Sequence, residues 1–326
     1  MTRLSSKVVT FLTRRIRWLF RMGLLVTTGA SLLTLLAQEF WLADLVANLR
    51  IQLLIGLAST AALGAISRKW KLLALPVVLA IWQGTWIIPA FQYGETADSE
   101  PLIRVCSMNV LTSNRNHDAI LAQMRELDAD VVAVLELSSS LSSRIVRDLD
   151  DLYPHRYLIP DDGGNFGIGL LSKVPFQSVG QVNFSRFQLP SIDATVVSEG
   201  NSIRILATHT IPPMGRDRFQ DRNQHLQNIA TWLNDSATNN SRVIVTGDLN
   251  LTPWSPVFRS WCRDAELDNA TDGCGLGPTW YRFPGFPFGL ILDHGLCSWT
   301  LAGTRTCVAD AMGSDHRAVV FEFRDR

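Results

Sequence analysis

The chain has 326 residues and a formal net charge of zero, with a slightly positive mean hydropathy; that length holds one large domain or two ordinary ones. Residues 101–326 carry 20 Lys/Arg against 25 Asp/Glu, which speaks against a protein that grips long DNA through a positive surface. The five cysteines contain no Cys-x-x-Cys pair, which speaks against a zinc–thiolate site.

In chain order, three apolar runs come first, at roughly 18–37, 51–66 and 72–91. A membrane-crossing helix needs about 20 mostly apolar residues, with a range of about 17–25. The first and third runs meet that length; the second has to borrow its flanks. A buried helical core is the competing reading, but three such runs parted by short charged loops fit it poorly. A cleaved signal peptide fits poorly too, because two further runs follow. Arg3, Lys7, Arg14, Arg15, Arg17 and Arg21 precede or edge the first run, and Glu39, Asp44 and Arg50 follow it. Arg68, Lys69 and Lys71 separate the second and third runs, and Glu95, Asp98 and Glu100 come after the third. Positive residues stay on the cytoplasmic side, so the order reads inside, outside, inside, outside. Residues 1–92 are thus expected to be a membrane anchor of about three transmembrane helices, 93–100 a linker, and 101–326 a domain outside the cytoplasm, on a bacterial inner or plasma membrane. If the second run only dips into the bilayer, the sides reverse.

Beyond residue 101 the pattern alternates between strand and helix. Strands are expected at 102–110, 129–137, 166–175, 192–199, 202–210, 241–250, 289–298 and 317–323. Helices are expected at 116–128, with Ile120, Leu121, Met124 and Leu127 on one face, at 138–153 behind capping serines, at 218–235 and from 260. Spacing suggests Cys297–Cys307 and Cys262–Cys274 bridges with Cys106 free; five reduced thiols are the other reading.

Several of these strands end in a residue that a core strand should not want. They are Asn109, Glu136, His209, Asp248 with Asn250, Asp293, and Asp315–His316. Each alone has an ordinary reading, as a turn cap, an ion pair or a satisfied core histidine. Together they read as one acidic cleft at one rim of a sheet, because burying an unpaired carboxylate is costly. Carboxylates and carboxamides without thiols suit Mg²⁺ or Mn²⁺, with Glu136 as the leading ligand and Asn109 and Asp315 beside it. Asp248 and Asn250, two apart on an extended segment, would point to one side and hold a water or a phosphate oxygen. His316 oriented by Asp293 would be a general base, with His209 a second imidazole donating to a phosphate oxygen or leaving group. Metal, base and donors around one point are what phosphoester hydrolysis needs.

The stretches "SMNV", "VLEL", "GIGLLSKVP", "ATHT", "GDLN", "LDH" and "GSDHRAV" resemble, in order, the endonuclease/exonuclease/phosphatase (DNase I-like) superfamily over residues 101–326. The resemblance implies a four-layer α/β sandwich and Mg²⁺-dependent phosphoester cleavage. It implies Asn109 and Glu136 on the metal with Asp315 near it, and Asp248 and Asn250 positioning nucleophile and substrate. It further implies His316 with Asp293 as base, and His209 stabilising the transition state. Where the family often has Gln before the strand-two Glu, this chain has Leu135.

Arg216, Arg218, Arg222 and Asn223 follow His209. Arg222 and Asn223 are expected substrate contacts, against the reading of a solvated helix end. Trp280, Tyr281, Phe283, Phe286 and Phe288 either touch lipid or an acyl chain or pack under their own loop. The expectation is a membrane-anchored phosphodiesterase or phosphatase whose partners are the bilayer and a phospholipid or lipid-linked phosphate. The alternatives are a nuclease on DNA or RNA and a catalytically inactive envelope binding module.

Overall fold

The computed structural model describes residues 2–91, 100–235, 242–281 and 289–326. Most of the expected linker, and Phe283, Phe286 and Phe288, lie outside the described residues. Two compact units are present, Met1–Pro89 with Trp254–Pro256, and Ala90–Pro253 with Val257–Arg326.

The first unit holds α1 (Thr2–Leu33, continued by a 3-10 turn Thr34–Leu36), α2 (Trp41–Asn48), α3 (Arg50–Ile66) and α4 (Trp70–Thr85). Val8–Leu36 is long and apolar enough to cross a membrane, with 29 residues and a mean hydropathy of 1.6. The other two expected spans differ. Leu49 leaves the helical path, so α2 and α3 meet at a 72° bend, and α4 has 16 residues. Small residues bring α1 and α3 close: a Cβ on Gly23 would lie 2.7 Å from the Thr60 hydroxyl, the packing that membrane helices favour.

The second unit runs β1 (Ile103–Asn109), α5 (His117–Leu127), β2 (Val131–Leu135), α6 (Ser139–Asp148), β3 (His155–Ile159), β4 (Ile168–Ser172), β5 (Phe176–Asn183), β6 (Pro190–Ser198), β7 (Asn201–His209), α7 (Arg216–Asp235), β8 (Arg242–Asp248), α8 (Pro256–Asp264), β9 (Leu267–Asn269), β10 (Asp293–Ser298), β11 (Leu301–Val308) and β12 (Val319–Asp325). One sheet has the order β11-β12-β1-β2-β4-β3 and the other β5-β6-β7-β8-β10-β9. Val105, Val131, Ala133, Phe321 and Phe323 of the first sheet pack against Ile192, Ile205, Ala207 and Ile244 of the second. On the outer faces, α5 and α6 cover the first sheet through Ile120, Met124, Leu141 and Ile145. Leu226, Ile229, Phe258 and Trp261 of α7 and α8 cover the second. These are the four layers of an α/β sandwich.

Four strands go beyond the expected set: β3, β5, β9 and β11. Helix α8 starts at Pro256 rather than near residue 260, and Pro256 takes the first helical position. All five cysteines are free thiols. Cys297 lies on β10 in the second sheet, whereas Cys307 pairs with Val320 in the first, so the two are not cross-strand neighbours.

Candidate active site

Topology brings the key strand ends to one rim. β1 and β2 are parallel, with α5 carrying the chain back, and α7 does the same for β7 and β8. Asn109, Glu136, His209 and Asp248 therefore finish or directly follow strands that point the same way within each sheet. β10 is antiparallel to β8 with Asp293 opposite Asp248, and β12 is antiparallel to β1 with Val319 opposite Ser107. Their starts fall at this rim, with Asp315 and His316 on the approach to β12 rather than inside it.

On the first sheet, Asn109 Nδ2 donates to Glu136 Oε1 at 3.0 Å and reaches Asp248 Oδ2 at 3.3 Å. Thr112 N–H donates to Glu136 Oε2 at 3.4 Å. Glu136 has a left-handed backbone, φ +58°, which costs a non-glycine residue on the order of 1–3 kcal/mol and persists only where surroundings impose it. The next residue is clamped: Leu137 N–H donates to Gly167 O at 2.9 Å, and Asp161 N–H donates to Leu137 O at 3.0 Å. A Cβ on Gly167 would sit 2.1 Å from Leu137 O, so glycine is what lets that loop close.

On the second sheet, Gly247 has φ +141°, and a Cβ there would lie 1.8 Å from Thr208 O. The chain does not run on extended from Asp248 to Asn250, as the sequence suggested. Asn250 is left-handed, φ +51°, a conformation Asn tolerates. Its N–H donates to Asp248 Oδ1 at 2.9 Å and its Nδ2 to Thr210 O at 2.8 Å. The turn, rather than strand alternation, keeps the two residues together. Asp248 Oδ2 then meets His209 Nε2 and His316 Nε2, each at 3.5 Å. His316 Nδ1 lies 2.8 Å from Asp293 Oδ2. Asp248, Asp293 and His316 each offer a ligand atom within 4.8 Å of one another.

The remaining expected residues sit differently. Asp315 is exposed and accepts from Trp280 Nε1 at 2.9 Å, so Trp280 braces the site's rim. Arg222 lies on neither a surface nor a solvated helix end: it is fully buried and donates to Asn223 Oδ1 at 2.7 Å and to Asn250 O at 3.2 Å. It props the Asp248–Asn250 turn from behind. Four supporting residues were not singled out from the sequence, though Ser314 lies within the "GSDHRAV" stretch. Thr112 grips Glu136. Thr279 Oγ1 accepts from Asp293 N–H at 3.2 Å. Ser314 Oγ donates to Asn109 O at 2.8 Å and accepts from His316 N–H at 3.0 Å. The Phe166 ring lies 5.1 Å from that of His209.

Burial raises the Glu136 carboxyl, against the Asn109 bond and the His316 charge. Burial, with the Asp293 and Glu136 charges, pushes Asp248 up to about 7 despite His316. For His316, burial favours the neutral ring, but the Asp293 and Asp248 charges and the Asp293 hydrogen bond outweigh it and push it up to about 10. Burial and the His316 charge push His209 down to about 3. At neutral pH, then, His316 carries the charge, and His209 meets Asp248 as a neutral ring.

This has a consequence for stability without added metal. Unfolded His316 releases its proton near 6.5 and folded His316 near 10, so its contribution is complete below pH 6.5 and lost as pH rises to 10. Asp248 acts in the same direction between 3.8 and about 7. Tm should fall as pH rises from 7 to 9, and His316→Ala should flatten that fall; an equally steep fall in the variant would refute it.

The donor set suits a hard divalent cation. Glu136 is a buried carboxylate that no guanidinium or ammonium bonds among the described residues, and Asp293 Oδ1 is buried without a hydrogen-bond partner. Oxygens of Glu136, Asn109 and Asp248 match what such ions prefer.

A model of the Endonuclease/Exonuclease/phosphatase family matches residues 106–316. No curated protein matches the sequence. Among solved structures, a humanized D. rerio TDP2 shares 16% identity with a TM-score of 0.56, covering 68% of this chain and 98% of that one. An endonuclease/exonuclease/phosphatase from Beutenbergia cavernae shares 21% with a TM-score of 0.55, covering 68% and 71%. The human Nocturnin catalytic domain, solved with a bound sulfate anion, shares 19% with a TM-score of 0.55, covering 73% and 99%. At these identities the likeness is one of fold.

Proposed function

Because the chain belongs to the endonuclease/exonuclease/phosphatase family, whose members are phosphoester hydrolases or nucleases and in general metal-dependent, we propose that it is a membrane-anchored, Mg²⁺- or Mn²⁺-dependent phosphoester hydrolase acting on a phospholipid or lipid-linked phosphate. One observation carries the reading: Asn109, Glu136 and His316 at the rim of one sheet meet Asp248 and Asp293 of the other, through Asn109–Asp248 at 3.3 Å, His316–Asp248 at 3.5 Å and His316–Asp293 at 2.8 Å.

Glu136 and Asn109 would hold the cation, with Asp315 adding negative charge at the rim. When bound, the ion offsets charge that develops on the phosphoryl oxygens. Asp293 fixes His316 through Nδ1 and leaves Nε2 directed to Asp248 and the attacking water. With Nδ1 held by Asp293, a ring free of its Nε2 proton would take one from the water, as a general base does. Asp248 and Asn250 position the water, and neutral His209 donates an N–H to the substrate.

The lipid preference draws support from two features. Only 22% of the apolar window in Val8–Leu36 is buried, and Phe11, Leu12, Trp18, Leu25 and Leu32 are exposed, a surface suited to acyl chains. The acidic balance of residues 101–326 suits a small phosphoester better than a long polyanion. Charge placement around the apolar runs supports a catalytic unit outside the cytoplasm; protease added to intact spheroplasts should then remove it.

The test is the full chain in detergent with Mg²⁺ or Mn²⁺, given phospholipid vesicles, duplex DNA or RNA. Lipid turnover without nucleic-acid cleavage is expected. Nucleic-acid cleavage without lipid turnover would overturn the substrate assignment, and inactivity on all three would favour a binding module.

A further inference from the structure

Beside the cation-binding carboxylate lies a second feature that the hydrolytic residues do not use, a cavity of about 530 Å³. Thr112, Ser113 and Arg115 from the loop after β1 form one side. Ser139 and Ser140 from the first turn of α6, and Asp162 to Asn165 from the loop before β4, form the others. Thr112 belongs to both places: its N–H holds Glu136 Oε2, and its hydroxyl lies 3.2 Å from Glu136 O and 3.4 Å from Gly164 O. Anything filling the cavity is therefore one residue away from the proposed metal ligand.

The lining has a definite chemistry. It has four hydroxyls, one carboxamide, one carboxylate and one guanidinium, and no aromatic or aliphatic side chain. A base-stacking platform needs aromatic faces, and an acyl tunnel needs apolar walls; this cavity has neither. Its one cation and one anion make it neutral, unlike a groove that follows a polyanionic strand. Among the described residues Arg115 makes one hydrogen bond, to Ser140 Oγ at 3.3 Å, which leaves guanidinium N–H groups for a ligand. Asp162 accepts the Ser139 N–H through Oδ1 at 2.9 Å and also a bond from the Ser139 side chain, and a carboxylate has lone pairs beyond these two for a ligand hydroxyl. Donors and acceptors on facing walls, at a volume typical of small-ligand sites, match a ring carrying several hydroxyls.

Resting on the hydrolase reading above, we infer that this cavity is a subsite for a polyhydroxylated alcohol, a sugar or polyol esterified to the phosphate that is cleaved. Arg115 donates to its oxygens, Asp162 accepts from its hydroxyls, and Thr112 and the α6 serines complete the ring of contacts. The substrate is then a phosphoester bearing a polar polyol.

The experiment compares two chromogenic diesters with the same leaving group, p-nitrophenyl inositol phosphate and p-nitrophenyl ethyl phosphate, using the metal-loaded full chain. Two net hydrogen bonds, each about 1 kcal/mol, predict about a tenfold or greater preference in kcat/KM for the inositol ester. Arg115→Gln and Asp162→Asn should each cut that ratio severalfold. Binding is read independently of turnover by calorimetry of both esters on the His316→Ala chain. Turnover of both diesters without preference, or a preference untouched by both variants, would overturn the subsite while leaving the hydrolase intact. No turnover of either, with inositol-selective binding that Arg115→Gln abolishes, would keep the subsite and remove the hydrolase. Neither turnover nor selective binding would sink both.

Discussion

Glu136→Gln should lower kcat/KM by a factor on the order of 10²–10³, the scale seen when one electrostatic contact to a developing charge is removed. The substitution is nearly isosteric, but Asn109 and Thr112 donate to different oxygens of Glu136, so a Gln keeps one of the two hydrogen bonds and loses the other. The formal charge disappears as well. In the folded chain that carboxylate is buried and raised by burial, so without metal its removal should leave stability unchanged or improved. Calorimetric titration with Mg²⁺ or Mn²⁺ should lose its high-affinity phase in parallel with activity. A variant that kept its activity within tenfold and bound metal normally would place the ion elsewhere, with the Asp248–Asp293–His316 group the next place to look.

His316→Ala should cost about 10²–10⁴ in rate, the range for a lost general base, and Asp293→Asn should approach it. The reason is the 2.8 Å contact at Nδ1. An Asn amide in place of the carboxylate can favour the wrong tautomer and removes the charge that holds the ring's proton. Because Asp293 acts through His316, the double variant should be no slower than His316→Ala alone, a strong departure from additivity. Asp293→Asn should also shift the limb of the pH–rate profile assigned to His316 toward lower pH. Additive losses, or an unmoved profile, would show that the two residues do not act as a unit.

The interior of the fold was legible in the sequence because its signal is hydrophobic. β2, β4, β7 and β8 are fully or mostly buried and read as continuous apolar runs. The four strands not anticipated, β3, β5, β9 and β11, are the four edges of the two sheets. Edge strands carry charges and polar residues that resist further pairing, and β5, "FQSVGQVN", shows little apolar alternation. The site was legible for a related reason: a polar residue at the end of an apolar strand is conspicuous. What escaped was support that depends on tertiary contact. Thr112 and Thr279 look like ordinary loop residues, and Arg222 reads as a substrate contact until the fold buries it. The left-handed turns at Glu136 and Asn250 carry no glycine to mark them. The apolar runs were plain from composition, but the break at Leu49 was not, because no proline or glycine announces it.

Placing β12 between β11 and β1 has a consequence for how the molecule is made. A ribosome releases β1 long before the strand that must lie beside it; at about 5–20 residues per second, that edge waits roughly 10–40 seconds for its neighbour. During that time this edge of β1 is open to pairing with other nascent chains. The same delay leaves the rim unfinished: a chain stalled before residue 314 lacks His316, so the Asp293–His316–Asp248 contacts form only once the last strand has been made.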